Sequence, residues 1–326
     1  MKVLLIFSRL PWTLRGLPRF TMHPASHRMP PLIRFIVSSL LAAVALVSGS
    51  TLAAAEVLPC TSSRSTPYDL EIRGLLSGDC CEGVVFVTQE SLRSLPVMKL
   101  ALDGEFVPGK QEVTAIFLLD LWRALPVAAE ADTVLATCSD GYAAIYRRKQ
   151  VDLLRPFLVL EINGVGPKDW PPQGLNFNPA PGVISVSETV APAVAGFLDV
   201  NHKRPWAVTT LEFVRFDDQF ATLYSGPWGS LSERAQLGRE IWLNSCLSCH
   251  PGPGASFGGT KAGRPFEVLA AHAAFNADYF RRFVRDPQGE NSGAKMEPHP
   301  HYTDGQLDAL IAFITAEKKP ALPPSL

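Results

Sequence analysis

The sequence predicts an exported chain in which an α+β region is followed by an all-α region. Residues 56–225 mix short β-branched and aromatic runs with brief helical patterns, whereas residues 230–318 carry helical periodicity and helix-capping patterns. The 28 prolines indicate long connections and short elements. With 326 residues and 47% hydrophobic content, the chain is long enough for two globular domains joined at residues 226–229, with a short tail at 319–326.

The first 55 residues have the layout of a secretory signal. They contain six basic residues and no acidic residue, then an apolar run over residues 35–47 and a small-residue site at residues 53–55. A start at Met29 gives a signal of ordinary proportions. The apolar run is short for a bilayer span, so a retained anchor is the less favoured alternative. We expect cleavage near Ala55, a periplasmic location and no membrane span after cleavage.

The charge balance argues against nucleic-acid binding. Loss of residues 1–55 removes six basic and no acidic residues, so the formal net charge falls from −1 to −7. Nothing in the sequence resembles a nucleic-acid surface, which needs a larger cluster of lysines and arginines.

The α+β region is predicted from short runs bounded by turn residues. Strands are expected over residues 84–87, 133–137, 157–162 and 208–216, and a helical turn over residues 91–95. Residues 113–125 begin as a strand and continue as a helix. Prolines between residues 167 and 181 mark a long loop. This irregular alternation favours an α+β fold over a parallel βαβ array.

The all-α region is predicted to contain three helices. Ser230 and Glu233 form a capping box for a helix that ends near Asn244. A second helix covers residues 277–284 and ends before Pro287, because proline disfavours a helical residue before it. A second capping box, Thr303 with Gln306, starts a helix whose apolar residues recur at i, i+3, i+4 and i+7.

Residues 246–250 have the sequence Cys-Leu-Ser-Cys-His, the attachment motif of a c-type haem. The thiols of Cys246 and Cys249 would add to the two porphyrin vinyl groups, and His250 would bind the iron. The motif also occurs in zinc and redox sites. We predict one haem c.

Together with its surroundings, the motif resembles a class I cytochrome c domain. The matching features over about 90 residues are a first helix with Gly238 and Trp242, the haem motif, a segment around Met296, and a last helix with Phe313. The resemblance implies that Gly238 and Phe313 lie where the terminal helices cross. It also implies that His250 is the proximal ligand of the iron and Met296 the distal ligand.

Three histidines are alternatives to Met296 as the distal ligand. His299 and His301 follow it closely in sequence, and His272 is a weaker candidate. The family usually has proline directly after the methionine, whereas here Glu297 intervenes, which puts the geometry of this loop in question. A thioether ligand would raise the reduction potential and leave the haem as a one-electron relay.

Residues 83–216 resemble the molybdopterin-binding domain of sulfite oxidases. The matching features are a leucine-rich helix at residues 118–122, the strand leading to Cys138, and the closing strand at 208–216. The resemblance implies that Cys138 is a molybdenum ligand in a catalytic member. Asp140 and Gly141 equally indicate an ordinary turn. An anionic cofactor would need a basic patch, which could be formed by Arg147, Arg148, Lys149, His202, Lys203 and Arg204. Alternatively, these six residues form a solvated face.

The other cysteines suit an oxidising compartment. Cys60, Cys80, Cys81 and Cys138 allow three disulfide connectivities, and Cys60 with Cys80 or Cys81 would staple the N-terminal segment.

Our leading hypothesis is a periplasmic electron-transfer protein whose α+β domain docks a redox partner protein or a membrane respiratory complex. The alternatives are a molybdenum-dependent oxidoreductase with the metal at Cys138, and a haem-based sensor with an exchangeable iron position. No catalytic residue is assigned, and we expect that the chain is not a complete enzyme.

Overall fold

The computed structural model describes residues 57–78, 83–103, 109–170, 183–185, 203–255 and 257–316. The predicted signal, Cys80, Cys81, most of the proline-rich loop and the tail at 319–326 lie outside these ranges. Residues Ala55–Leu326 form one compact unit. Within the described part of the chain, no helix is long and apolar enough to cross a membrane.

The strands of the described residues form two sheets in the N-terminal and middle parts of the chain. The first has the order β2-β1-β9-β5-β6 and the second the order β3-β4-β7-β8. Only β1 and β9 pair in parallel among the described strands, and the other pairs are antiparallel. The strands are β1 Leu70–Gly74, β2 Val84–Val87, β3 Met98–Asp103, β4 Lys110–Phe117, β5 Thr133–Cys138, β6 Ala143–Arg147, β7 Phe157–Ile162, β8 Val183–Ser185 and β9 Val208–Val214.

Strands β5 and β6 contribute to two hydrophobic cores, because successive side chains of a strand point to opposite faces of its sheet. Val134 and Ala136 join the core that both sheets share, which includes Leu158 of β7. Leu135 and Ile145 instead join the core of the helical region. One face of the first sheet therefore packs against the helices, and its other face packs against the second sheet through the shared core.

The C-terminal part of the described chain is helical. Its core is aromatic at the centre, where Phe266 packs edge-on to Trp242 with ring centroids 5.0 Å apart, and Phe313 lies 6.0 Å from Phe266. The helices of the described residues are α1 Gln89–Arg93, α2 Leu118–Ala124, α3 Arg148–Leu154, α4 Phe216–Gln219, α5 Glu233–Asn244, α6 Phe266–Phe275, α7 Ala277–Arg285, α8 Pro287–Glu290 and α9 Asp304–Ile314.

Most of the predicted elements are present, with small shifts at their ends. The strands predicted over residues 84–87 and 157–162 have the predicted bounds, and the change from strand to helix occurs between Phe117 and Leu118. The strand predicted to end at Phe216 ends at Val214, because Phe216 begins helix α4. The sequence analysis missed strands β1, β3, β6 and β8 and helices α3, α4, α6 and α8.

The capping box predicted from Ser230 and Glu233 is wrong. Helix α5 begins at Glu233, and the Ser232 hydroxyl accepts a hydrogen bond from the Ala235 N–H at 3.3 Å. Helix α9 has the predicted capping box of Thr303 and Gln306. In the predicted linker, Gly226–Trp228 forms a short 3-10 helix.

Candidate haem site

The Cys-Leu-Ser-Cys-His motif lies on one short turn directly after helix α5. Cys246–Ser248 is a 3-10 helix, and the N–H groups of Cys249 and His250 donate to the Cys246 carbonyl at 3.1 and 2.9 Å. Leu247 and Ser248 are buried, whereas Cys246, Cys249 and His250 are half-buried. The buried residues anchor the turn and leave the two thiols and the imidazole available to a ligand.

The loop that follows the motif folds back over it, which requires two glycines. The Gly259 N–H donates to the Leu247 carbonyl at 2.8 Å, and the Ala262 N–H donates to the Cys249 carbonyl at 3.0 Å. A Cβ atom at Gly259 would overlap the Ser248 carbonyl oxygen. Gly258 has φ of +95°, a conformation that glycine adopts without strain. We call residues 257–262 the haem loop.

The imidazole of His250 is held in its neutral form. Burial lowers its pKa, although the Arg264 backbone lies close enough to oppose part of that effect. Its Nδ1 atom is buried without a well-aligned hydrogen bond among the described residues. Trp242 packs beside the ring, with centroids 6.3 Å apart. A neutral imidazole is the form that binds iron.

The segment around Met296 packs against the helical core. Met296 is half-buried against that core, and its carbonyl accepts a hydrogen bond from Gln288 Nε2 at 2.8 Å. Of the competing histidines, His272 and His301 are exposed. His299 is buried, and its ring stacks on Tyr302 with centroids 5.7 Å apart. Met296 and His299 therefore both pack against the core that contains Trp242, and His299 also contributes to the lowered pKa of His250.

Ser245 and Tyr302 connect the C-terminal segment to the motif, a contact that the sequence analysis missed. Their hydroxyl groups are 2.5 Å apart and both residues are buried. Ser245 directly precedes Cys246, so this bond fixes the start of the motif turn relative to the segment that follows Met296. Serine and tyrosine 57 positions apart carry no local sequence signal.

The two terminal helices of the helical region cross at Gly238. A Cβ atom there would overlap the backbone carbonyl of Ala309 in helix α9. The glycine expected at this crossing meets the Ala309 backbone, and Phe313, one turn further along helix α9, packs near Trp242, with ring centroids 6.4 Å apart.

These residues fit a covalently bound haem. The turn carries the half-buried thiols of Cys246 and Cys249, and the imidazole of His250, whose Nδ1 atom is buried without a well-aligned hydrogen bond among the described residues. The thioether of Met296 lies in a segment that packs against the same helical core. Burial raises the pKa of the Cys249 thiol to about 11, so the free thiol is protonated at neutral pH. Among the described residues, no group of three or more His, Cys, Asp or Glu side chains could hold a metal ion.

The surroundings of Cys138 do not fit a molybdenum ligand. Cys138 is a free thiol, 3% exposed, and lies in the apolar core shared by the two sheets. Burial raises the pKa of this metal-free thiol well above its ordinary value. Asp140 and Gly141 form the ordinary turn that joins β5 to β6.

Three of the basic residues considered for an anionic cofactor make contacts within the fold. Lys203 is buried, and its Nζ donates to the Ile145 carbonyl. The guanidinium of Arg147 lies over the Phe216 ring at 3.6 Å, and Arg148 lies over the Trp122 ring at 5.0 Å. His202 lies outside the described residues.

Comparisons with known proteins give partial matches to redox proteins. No family model matches the chain. A stretch of 91 residues is 33% identical to cytochrome c oxidase subunit 2 of Alkalihalophilus pseudofirmus, covering 26% of each chain, so the chain spans about a quarter of that relative. The crystal structure of the sulfane dehydrogenase SoxCD from Paracoccus pantotrophus matches with 17% identity and a TM-score of 0.31, over 47% of this chain and 40% of that one.

Proposed function

We propose that this protein is an exported one-electron carrier with one covalently bound haem c. The observation that carries the proposal is the turn at residues 246–250, which presents two thiols and a neutral imidazole together. The sequence similarity to a stretch of a cytochrome c oxidase subunit supports a general role in electron transfer.

Each residue of the site has a defined role in this proposal. Cys246 and Cys249 would hold the haem through thioether bonds, and His250 and Met296 would be the iron ligands. The haem would supply an iron that accepts and releases one electron. Burial keeps His250 neutral, and Met296 as a soft ligand would raise the reduction potential. With both protein ligands bound, the iron would carry electrons and would not bind a substrate.

The wider organisation follows from the same proposal. Residues 230–318 form a cytochrome c domain, residues 56–225 form a domain with the fold of sulfite oxidases, and residues 1–55 direct the chain to the periplasm. The α+β domain serves to dock a redox partner protein or a membrane respiratory complex. The position of Cys138 in an apolar core disfavours the alternative of a molybdenum enzyme.

The test is covalent haem attachment in protein that is exported in cells with the haem maturation machinery. The double variant Cys246→Ala with Cys249→Ala should lose the haem that remains on the denatured chain in an electrophoresis gel. Cys138→Ala is the matched control, because it removes a buried thiol outside the motif, and it should keep the haem. Haem retained by the double variant, or absent from the unmodified protein, would overturn the proposal.

A further inference from the structure

The turn between strands β5 and β6 packs directly against the haem loop. The Thr260 N–H donates to the Gly141 carbonyl at 2.8 Å. Gly141 has φ of +83°, and a Cβ atom there would overlap the Thr260 hydroxyl. Only glycine allows both the turn and this close approach. The α+β region therefore makes a specific contact with the segment that folds over the haem motif.

An ion pair accompanies this backbone contact. Lys261 Nζ lies 2.9 Å from Asp140 Oδ2, and both side chains are about half exposed, at 52% and 47%. Lys261 Nζ also lies 5.7 Å from the centre of the Tyr142 ring. Lys261 immediately precedes Ala262, whose N–H binds the Cys249 carbonyl. The pair is therefore tied through one residue to the second cysteine of the motif.

The ion pair lies beside the segment that binds the Cys249 carbonyl, and its two charges have opposite signs. Burial alone would lower the pKa of Lys261, but its hydrogen bond to Asp140 raises it, so Lys261 stays charged at neutral pH. The motif thus experiences a positive charge that a carboxylate balances.

We infer that Asp140 is a positioning residue that holds Lys261 of the haem loop in place and balances its charge, so that this ion pair adjusts the reduction potential of the haem. The inference rests on the proposed function. One-electron reduction makes the haem site more negative by one charge. An unbalanced positive charge nearby therefore favours the ferrous form, and an unbalanced negative charge favours the ferric form.

The test is a mediated redox titration of the haem-loaded, exported protein and three variants. Asp140→Asn should increase the ferrous-to-ferric ratio at a fixed potential by roughly threefold to tenfold, and Lys261→Gln should decrease it by a similar factor. A tenfold change corresponds to about 59 mV for one electron. The double variant should return close to the unmodified protein, and salt should weaken both single effects.

The opposite signs separate charge balance from structural loosening. A pair that only holds the fold together would give single variants that shift in the same direction, which would overturn the inference. The matched control is the exposed pair Lys99 and Glu112 on the β3–β4 hairpin, 3.0 Å apart, whose neutral variants should leave the potential unchanged. Unmodified protein without covalent haem would overturn the proposed function and the inference together. If the haem is present but the reduction potentials of the variants equal that of the unmodified protein, the inference alone would be overturned.

Discussion

Gly238 lies where helix α5 crosses helix α9, so replacing it with alanine tests the packing of the two terminal helices. A Cβ atom at this position would overlap the Ala309 carbonyl, and a backbone obstacle moves only if the whole helix moves. Overpacking of this kind costs about 1–3 kcal/mol, and the rigid obstacle indicates the upper part of that range. Alanine regains about 0.5–1 kcal/mol through its higher helix propensity. We expect a net loss of about 2 kcal/mol.

Gly305→Ala is the matched control for this variant. Gly305 lies in the first turn of helix α9, and a Cβ atom there would meet nothing within 4 Å. This variant should be stabilised by up to about 1 kcal/mol. The difference between the two variants then isolates the cost of overpacking at the helix crossing.

The assay is equilibrium urea unfolding at neutral pH, followed by far-ultraviolet circular dichroism, with the haem content of each sample measured beforehand. Gly238→Ala should unfold at clearly lower urea than the unmodified protein, and Gly305→Ala at equal or higher urea. Equal midpoints for the two alanine variants would refute the assigned helix crossing, since both would then report helix propensity alone.

Two further predictions concern Cys138 and Met296. Because burial raises the pKa of Cys138, the thiol ionises first in the unfolded chain, near pH 8.5, and the folded state loses up to about 1.4 kcal/mol per pH unit above that value. Cys138→Ala should therefore show a shallower loss of stability in urea unfolding between pH 8 and 10.5, and an unchanged slope would contradict the buried thiol. Met296→Ala should lower the reduction potential and change the haem spectrum, whereas Met98→Ala, in strand β3, should change neither. An unaltered spectrum in Met296→Ala would assign the distal position to another ligand.

Local patterns predicted the elements whose signals are contained in a few adjacent residues. The β-branched run at Val84–Val87 forms the predicted strand, and Thr303 with Gln306 caps helix α9 as expected, because both features depend on neighbours in sequence. The cap of the helix that begins at Glu233 was assigned to the wrong serine. Ser230 and Ser232 both precede the helix, and the local sequence does not distinguish which of them caps it.

The missed elements depend on tertiary contacts. Strand β6 begins with two alanines of low strand propensity and exists because it pairs with β5 along its whole length. Helix α6 follows Pro265 and is fixed by Phe266, which is buried against Trp242. Three of the candidate haem residues, Cys246, Cys249 and His250, were proposed from one motif spacing, and Met296 from a family resemblance. The contacts of Gly141 with Thr260 and of Asp140 with Lys261 join residues about 120 positions apart, and no pattern in the sequence indicates them.

The measurement that tests the central claim most directly is the ratio of iron and molybdenum to protein, determined by elemental mass spectrometry. The protein should be exported from cells that have haem maturation intact and a supply of molybdate. The account predicts about one iron atom per chain and no molybdenum, with the iron in covalently bound haem. Near-equal iron and molybdenum would contradict the account and make Cys138 the centre of an enzyme. A chain without iron would contradict the proposed role as an electron carrier.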